Sequence, residues 1–196
     1  MNIYCATTNP GKLKEFGLIV AHYSQGRITV ESVPGLKAVA APEETETAFA
    51  GNAAIKACYY SRFADGPVFA DDSGLACDAL NGAPGVYSAR YAGEHATDAA
   101  NNARLLAEIA PHTNRAARFL CAIAVAEQGK TVATFEGFVE GRIVDEPKGP
   151  YGFGYDPLFY YPPFGKTFGE APPEKKLLVS HRGKAMAAMI AWLLQR

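Results

Sequence analysis

The sequence lacks several features that would assign it at once to a class of protein. It has no apolar run near the ~18 residues that a membrane-spanning helix needs, and its N-terminus, MNIYCATTNPGK, lacks the basic and then apolar pattern of a signal peptide. Its 19 basic and 20 acidic residues give a net charge of −1, without the basic stripe of a duplex-DNA-binding protein. We therefore expect neither a membrane nor a nucleic-acid partner, whereas a small anionic ligand needs only a few local cations.

Cysteines are few and form no CxxC pair. Each of the four, Cys5, Cys58, Cys77 and Cys121, lies among apolar or small neighbours. Free cysteines in such surroundings are usually buried thiols. We therefore predict four free thiols and a protein of the reducing cytoplasm.

The composition that remains, 48% hydrophobic and 20% charged, is typical of a folded globular protein. Residues 117–127 are apolar on both alternating sets, which predicts a central strand covered on both faces. Asp98 and Ser180 are plausible N-caps for two of the helices. The pattern predicts one mixed α/β domain over 1–196, with strands at 2–7, 28–33, 67–70, 75–78, 117–127, 131–144 and 157–161, and helices at 12–23, 44–63, 99–110 and 181–195.

The segment ATTNPGK joins the first predicted strand to the first helix. A helix start presents free backbone N–H groups and a positive dipole end, which suit phosphate, and Lys12 adds a charge. The pattern is not a Walker motif, because the first glycine is missing and Leu13 replaces the hydroxyl residue. Phosphate binding and a plain strand–helix turn both remain open.

Two carboxylates, Asp71 and Asp72, follow an apolar run at its predicted end. Like charges this close repel each other unless a cation or a proton is shared, and their hard oxygens suit Mg²⁺. The segment APEETET adds Glu43, Glu44 and Glu46 near a helix start. Helix-capping acids and a turn aspartate are the alternative interpretation.

Two later segments could recognise a base. The glycine-rich GPYGFGYDP (149–157) carries three aromatic rings on which a base could stack, although a turn that packs its own rings is equally compatible. The segment EKKLLVSHRGK (174–184) brings five basic side chains to one helix entrance, where they form either a solvated face or a set of donors for purine oxygens and phosphate.

Five ordered blocks of the chain carry a resemblance. They are TTNPGKLKE, EETETAFAGNAAIKA, ADDSGLACDALNGAPGVYSARYAG, GFGYDPLF and SHRGKA. Together they resemble the inosine triphosphate pyrophosphatase family over nearly the whole chain. The resemblance implies two α/β lobes around a long, curved sheet, a nucleotide cleft between the lobes, and a homodimer. It also implies Mg²⁺-dependent hydrolysis of ITP, dITP or XTP to the monophosphate and pyrophosphate.

The resemblance also implies roles for residues in the matching motifs. Asp72 would be the general base, and Glu43 and Asp72 would hold Mg²⁺. Phe153 would stack on the purine, and Lys176, His181 and Arg182 would read the base and its 6-oxo group. The implied substrate-binding residues are Thr7, Thr8, Asn9, Pro10, Gly11, Lys12, Lys56, Ser73, Phe153, Gly154, Tyr155, Asp156, Lys176, His181 and Arg182.

The chain departs from the family pattern at two positions. Thr8 stands where members often have glycine, and Gly51 stands where they often have glutamate. If that glutamate helps to hold metal, this chain has one ligand fewer, which makes Glu43, Glu44 and Asp71 more important to test.

The expected chemistry is in-line attack of water on the α-phosphorus, with pyrophosphate as the leaving group. A pocket that donates to a 6-oxo group leaves a donor unpaired against adenine, so we expect ITP to be a good substrate and ATP a poor one. The alternatives are a related pyrophosphatase specific for dUTP or 7-methyl-GTP, and a nucleotide-sensing module that does not hydrolyse its ligand.

Overall fold

A computed structural model describes the whole chain, Met1–Arg196, as a mixed α/β protein. The strands are β1 (Asn2–Cys5), β2 (Thr29–Ser32), β3 (Val68–Cys77), β4 (Ala116–Glu127), β5 (Lys130–Ile143), β6 (Phe159–Tyr161) and β7 (Lys166–Thr167). The α-helices are α1 (Pro10–Ser24), α2 (Phe49–Tyr60), α3 (Asp98–Ile109), α4 (Pro173–Val179) and α5 (His181–Leu193). None of these helices combines the length and the apolar composition needed to cross a bilayer.

The seven strands form one mixed sheet in the order β2-β1-β3-β4-β5-β6-β7. β1 is parallel to β2 and to β3, whereas β6 is antiparallel to β5 and to β7. β4 lies fourth in this order, and every residue of its segment 121–126 is buried. The prediction of a central strand covered on both faces is therefore confirmed.

The chain divides into two compact units, and neither is continuous in sequence. Unit 1 comprises Met1–Asp72, Cys121–Gly137 and His181–Arg196, and unit 2 comprises Ser73–Leu120 and Phe138–Ser180.

Small side chains dominate the core of unit 1 where α2 lies. Ala53 and Ala57 of α2 pack with Ala70 of β3 and Ala124 of β4, and all four are buried. Alanine has no side chain beyond Cβ, which lets the helix backbone approach the strands closely. Phe16 of α1, fully buried, adds an edge-on ring contact with a β3 phenylalanine at 5.1 Å between centroids.

Aromatic side chains dominate the core of unit 2. The rings of Phe119, Phe159 and Phe168 lie 4.6 to 6.2 Å apart, and Leu105 and Ile109 of α3 belong to the same cluster. Full burial of each such side chain is worth about 1.5–3 kcal/mol.

Several predicted boundaries are wrong. The predicted strands at 67–70 and 75–78 are one continuous strand, β3, so the aspartate pair lies inside a strand and not at its end. The predicted helix 44–63 begins only at Phe49. The reason is that the Asn52 side chain bonds to both the backbone N–H and the backbone C=O of Glu46, which keeps the preceding segment out of the helix.

Two other differences concern the N-cap of α3 and the presence of α4. Thr97 and not Asp98 is the N-cap of α3, because the Thr97 hydroxyl accepts from the N–H of Ala100. The helix α4 was not predicted, since its seven residues hold too few turns for a periodic pattern to emerge. The inward set predicted for α5, Met186, Met189, Ile190 and Leu193, is buried as expected.

All four cysteines are free, as predicted. Cys5, Cys77 and Cys121 are buried, whereas Cys58 is only partly buried and its sulfur lies 3.1 Å from the hydroxyl oxygen of Thr131.

Candidate active site

The turn between β1 and α1 is built as an open helix start. Asn9 caps α1 by accepting from the N–H of Lys12 at 3.1 Å, and Pro10 supplies the preset backbone angle of a first helical residue. Thr7 supports the cap by accepting from the Asn9 N–H. The first turn of α1 holds no acidic side chain, so the positive end of its dipole is left for an outside anion. Thr8, the departure from the family pattern, is exposed.

Asp71 is buried and surrounded by cations. Lys12 Nζ lies 3.0 and 2.9 Å from its two oxygens, and Arg182 Nε lies 3.6 Å from one of them. Burial alone would raise the pKa of Asp71, but the charges of Lys12, Arg182 and Lys56 outweigh burial and lower it to about 2. Asp71 is therefore a permanent anion that holds Lys12 in place.

Asp72 has a different environment, because neighbouring side chains on a strand point to opposite faces. Lys56 Nζ lies 3.5 Å from its Oδ1, and Asn52 donates to its Oδ2 at 3.3 Å. Burial and the nearby charge of Glu44 raise the pKa of Asp72, and Lys56 only partly opposes them. Of the two carboxylates, Asp72 is the better proton acceptor, because its pKa is raised whereas the pKa of Asp71 is lowered.

Glu44, in the segment before α2, shares the Lys56 ammonium with Asp72. Lys56 Nζ lies 3.1 Å from Glu44 and 3.5 Å from Asp72, so both carboxylates converge on one ammonium group. Glu43, the predicted metal ligand, is exposed, and its role stays a prediction.

This donor set fits one kind of metal site. No group of three or more acidic, histidine or cysteine side chains gathers as a ready metal cage. Mg²⁺ commonly uses one or two protein carboxylates and takes its other ligands from water and substrate phosphates. Asp72 and Glu44 therefore fit a Mg²⁺ ion that arrives with a polyphosphate.

Arg182 and His181 begin α5 in unit 1, and both are 3% exposed. The guanidinium of Arg182 pairs with Glu15 as well as with Asp71. Its position is fixed by carboxylates, so a truncation of Arg182 would disturb Asp71 and is no clean probe of base reading. The predicted contacts of His181 and Arg182 with a base stay predictions.

A buried ion pair holds the aromatic loop of unit 2, which we define as residues 149–157. Asp156 Oδ2 accepts from Lys176 Nζ at 2.5 Å and from the N–H of Phe153 at 3.0 Å. Lys176 Nζ also lies 5.3 Å from the centroid of the Phe153 ring. Gly152 is required here, because a Cβ at this residue would lie 2.3 Å from Asp156 Oδ2, and its φ is +78°.

Two other predicted residues of unit 2, Tyr155 and Ser73, differ in burial. Tyr155 is a core residue whose hydroxyl donates to the carbonyl of Ser88 at 2.9 Å. Its ring therefore anchors the loop. Ser73, the residue after Asp72 in β3, is partly buried. Of the predicted residues, Lys12, Lys56, Asp72 and Arg182 belong to one polar cluster with Asp71 and Glu44 in unit 1, and Phe153, Asp156 and Lys176 contact one another in unit 2.

Comparison with known proteins assigns the family. A model of the Ham1 family matches residues 3–192. The chain belongs to the Ham1 family. It is 45% identical to a dITP/XTP pyrophosphatase of Desulfotalea psychrophila, over 99% of this chain and 89% of that one. It is 48% identical to a protein of the same name from Desulforamulus reducens, over 95% of this chain and 92% of that one.

Solved structures of Ham1 proteins share the fold. The Ham1 protein of Staphylococcus aureus superposes with a TM-score of 0.86 at 38% identity, covering 100% of this chain and 99% of that one. A HAM1 protein of Coxiella burnetii gives a TM-score of 0.88 at 37% identity, with both chains covered completely.

Sequence reasoning missed three residues that support the candidate site of this Ham1 protein. Asn52 was passed over although it lies four residues before Lys56 on one face of α2, a spacing that could have identified it. Glu15, which pairs with Arg182, carries no such local signal. Asn102, whose side chain donates to the Gly154 carbonyl, carries none either, because its partner is distant in sequence.

Proposed function

We propose that the chain hydrolyses ITP, dITP and XTP to the nucleoside monophosphate and pyrophosphate in the presence of Mg²⁺. The observation that carries the proposal is the difference between two adjacent carboxylates in β3. Asp71 forms ion pairs with Lys12 and Arg182, whereas Asp72 has a raised pKa and can accept a proton. The relatives named dITP/XTP pyrophosphatases support the same substrate class.

The lysines and the helix start would bind the phosphates. Lys12 lies in the first turn of α1 and Lys56 lies between Glu44 and Asp72. Phosphoryl transfer asks a protein chiefly for positioning and charge neutralisation. When bound, Mg²⁺ would neutralise charge on the departing pyrophosphate, held by Asp72 together with Glu44 or the predicted Glu43.

Asp72 would accept the proton of the attacking water. One of its oxygens is fixed by Asn52 and the other faces Lys56, so the carboxylate is oriented before a substrate binds. A positioned general base typically contributes about 10²- to 10⁴-fold to the rate.

Phe153 and Lys176 would select the base. The ring would stack on the base, and the Lys176 ammonium, 5.3 Å from the ring centroid, is a donor without acceptor capacity. Such a donor suits the 6-oxo group of hypoxanthine or xanthine and opposes the 6-amino group of adenine.

A substrate panel tests the proposal. Pyrophosphate release is measured with ITP, dITP, XTP, ATP, dUTP and 7-methyl-GTP, with Mg²⁺ and with an excess of chelator. We expect rapid release from the first three, little from the others, and none with the chelator. Release chiefly from dUTP or 7-methyl-GTP, or binding of ITP without hydrolysis, would contradict the proposal.

We also propose that the protein is a cytoplasmic homodimer. Four free cysteines suit a reducing compartment, and the family resemblance is the basis for the dimer. Sedimentation of the purified protein at several concentrations measures the oligomeric state, and a monomer throughout would contradict the dimer.

A further inference from the structure

The peptide groups of Gly154 are held by one helix face. The N–H of Gly154 donates to Asp98 Oδ2 at 2.6 Å, and its C=O accepts from Asn102 Nδ2 at 3.0 Å. Asp98 and Asn102 are four residues apart on α3, so their side chains lie one above the other. Because Asp156 holds the N–H of Phe153, the backbone on both sides of the Phe153 ring is hydrogen-bonded.

The loop needs this support on its α3 side. A cavity of about 470 Å³ lies there, lined by Asp98, Asn102 and Leu106 of α3 and by the loop residues Tyr151, Phe153 and Gly154. Gly154 has a φ of +60°, and nothing lies within 4 Å of where its Cβ would be. No atoms therefore pack on the Cβ side of Gly154, and the two hydrogen bonds from α3 fix its peptide groups.

Asn102 is poorly explained by stability alone. Its Oδ1 is buried and has no hydrogen-bond partner, and the residue is only 8% exposed. A buried acceptor without a partner opposes folding. The adjacent Asn101 differs, because its Oδ1 accepts from Ala92 and its Nδ2 donates to the carbonyl of Ala89. Both amide groups of Asn101 are therefore hydrogen-bonded, whereas in Asn102 only the Nδ2 group is, and its partner is Gly154.

We propose that Asp98 and Asn102 are positioning residues that fix the Phe153 ring in the geometry in which it stacks on the substrate's purine. The inference rests on the proposed function, since it concerns the base of that same nucleotide. A ring that is already placed loses little freedom when the base binds. When the loop is released, only a fraction of molecules is competent, and the apparent affinity falls by that fraction.

The neighbouring asparagines provide a matched pair of variants. We expect Asn102→Ala to raise KM for ITP about three- to tenfold, the worth of one hydrogen bond, while kcat and Tm stay close to those of the unaltered protein. Asn101→Ala should do the opposite, lowering Tm with KM unchanged, because it removes two satisfied bonds to a different loop.

Two further readouts are independent of turnover. Calorimetry with inosine monophosphate in metal-free buffer should show weaker binding in Asn102→Ala only. Hydrogen exchange of the peptide covering residues 150–158 should be faster in Asn102→Ala than in Asn101→Ala.

A second pair applies if Asn102→Ala does not fold. Asp98→Ala removes the acceptor of the Gly154 N–H, whereas Thr97→Ala removes only the cap of α3. Asp98→Ala should raise KM and Asp98→Asn, which keeps an acceptor oxygen, should restore most of it. Thr97→Ala should lower Tm with KM unchanged.

The outcomes separate the inference from the function on which it rests. If the unaltered protein releases no pyrophosphate from ITP or XTP, the proposed function fails. If it does so and Asn102→Ala and Asp98→Ala keep its KM and its monophosphate affinity, the positioning role is overturned. Equal changes of KM and Tm in the Asn101 and Asn102 variants would also overturn it.

Discussion

The polar cluster of unit 1 and the aromatic loop of unit 2 are held together by different kinds of interaction. In unit 1, Asp71, Asp72 and Glu44 are set against Lys12 and Lys56, and charge decides what each group can do. In unit 2, one buried ion pair, glycine turns and ring contacts hold a surface in place. The first arrangement suits a reaction in which charge moves, and the second suits recognition of a flat base.

This difference implies that substitutions in the two units should fail differently. Changes in unit 1 should alter kcat and the pH dependence of stability, because they alter charge. Changes in the loop should alter KM and base preference, because they alter geometry.

The largest effect is expected for Asp72→Asn. The amide keeps the shape of the side chain but cannot accept the proton of water, so kcat for ITP should fall about 10²- to 10⁴-fold at saturating Mg²⁺. Steady-state pyrophosphate release measures it. Asp78→Asn, which changes an exposed carboxylate just beyond β3, should keep normal kcat. Near-normal turnover of Asp72→Asn would remove Asp72 from the role of base.

Asp71→Asn should chiefly reduce stability. The pKa of Asp71 is lowered to about 2, below the ordinary 3.8, so its contribution is present above pH 4 and is lost as the pH falls toward 2. That contribution is worth about 2 kcal/mol at neutral pH. Urea denaturation should therefore show a deficit in Asp71→Asn at neutral pH that shrinks on acidification.

A surface ion pair provides the control for Asp71. Asp145→Asn, which removes an exposed carboxylate from its pair with Arg115, should cost less than about 1 kcal/mol at any pH. A deficit in Asp71→Asn that did not depend on pH would show that the charge of Asp71 is not what stabilises the cluster.

A smaller effect is expected on base choice. Lys176→Met removes the ammonium beside Phe153, and the ratio of kcat/KM for ITP to that for ATP should fall about tenfold. A ratio does not depend on the folded fraction of the variant. Lys175→Met, which changes the exposed neighbour, should keep the ratio. If both variants keep it, Lys176 does not read the base.

The smallest effect is expected for a substitution of Gly51, which stands where family members often have glutamate. A Cβ at Gly51 would lie 2.6 Å from Glu46 Cγ and 2.7 Å from Glu46 Cβ, so the Glu46 backbone, which Asn52 holds by two hydrogen bonds, would have to shift. The gain in helix propensity, about 1 kcal/mol, offsets only part of this strain, so Gly51→Ala should lower the free energy of unfolding by about 1 kcal/mol.

Gly137 is the contrasting glycine in unit 1. A Cβ there would lie 2.2 Å from the His181 carbonyl oxygen and 2.7 Å from the Ala185 nitrogen, and neither can move without the helix. Gly137→Ala should cost about 3 kcal/mol or more in denaturant unfolding. Equal costs at Gly51 and Gly137 would contradict the account of Glu46.

Local patterns predicted the elements that are long and regular. The doubly apolar run 117–127 predicted β4 and its central place, and the four apolar residues of α5 predicted its buried face. The predicted start of α2 was wrong because the Asn52 side chain bonds to the backbone of Glu46, six residues earlier. The continuity of β3 was missed because the charge of Asp71 inside the strand is balanced by Lys12, 59 residues away in sequence.

The candidate site shows the same limit. Motif resemblance selected Lys12, Asp72 and Phe153 by residue type. It could not show that Lys12 pairs with a carboxylate 59 residues away, or that α3 holds the peptide groups of Gly154. Those facts come from contacts between segments that are distant in sequence, which no single stretch of residues encodes.

The most direct test of the central claim, attack of water on the α-phosphorus, is hydrolysis of ITP by the unaltered protein in water enriched in heavy oxygen, followed by mass spectrometry of both products. The account predicts one labelled oxygen in inosine monophosphate and none in pyrophosphate. Label in the pyrophosphate, or release of inorganic phosphate in its place, would contradict it.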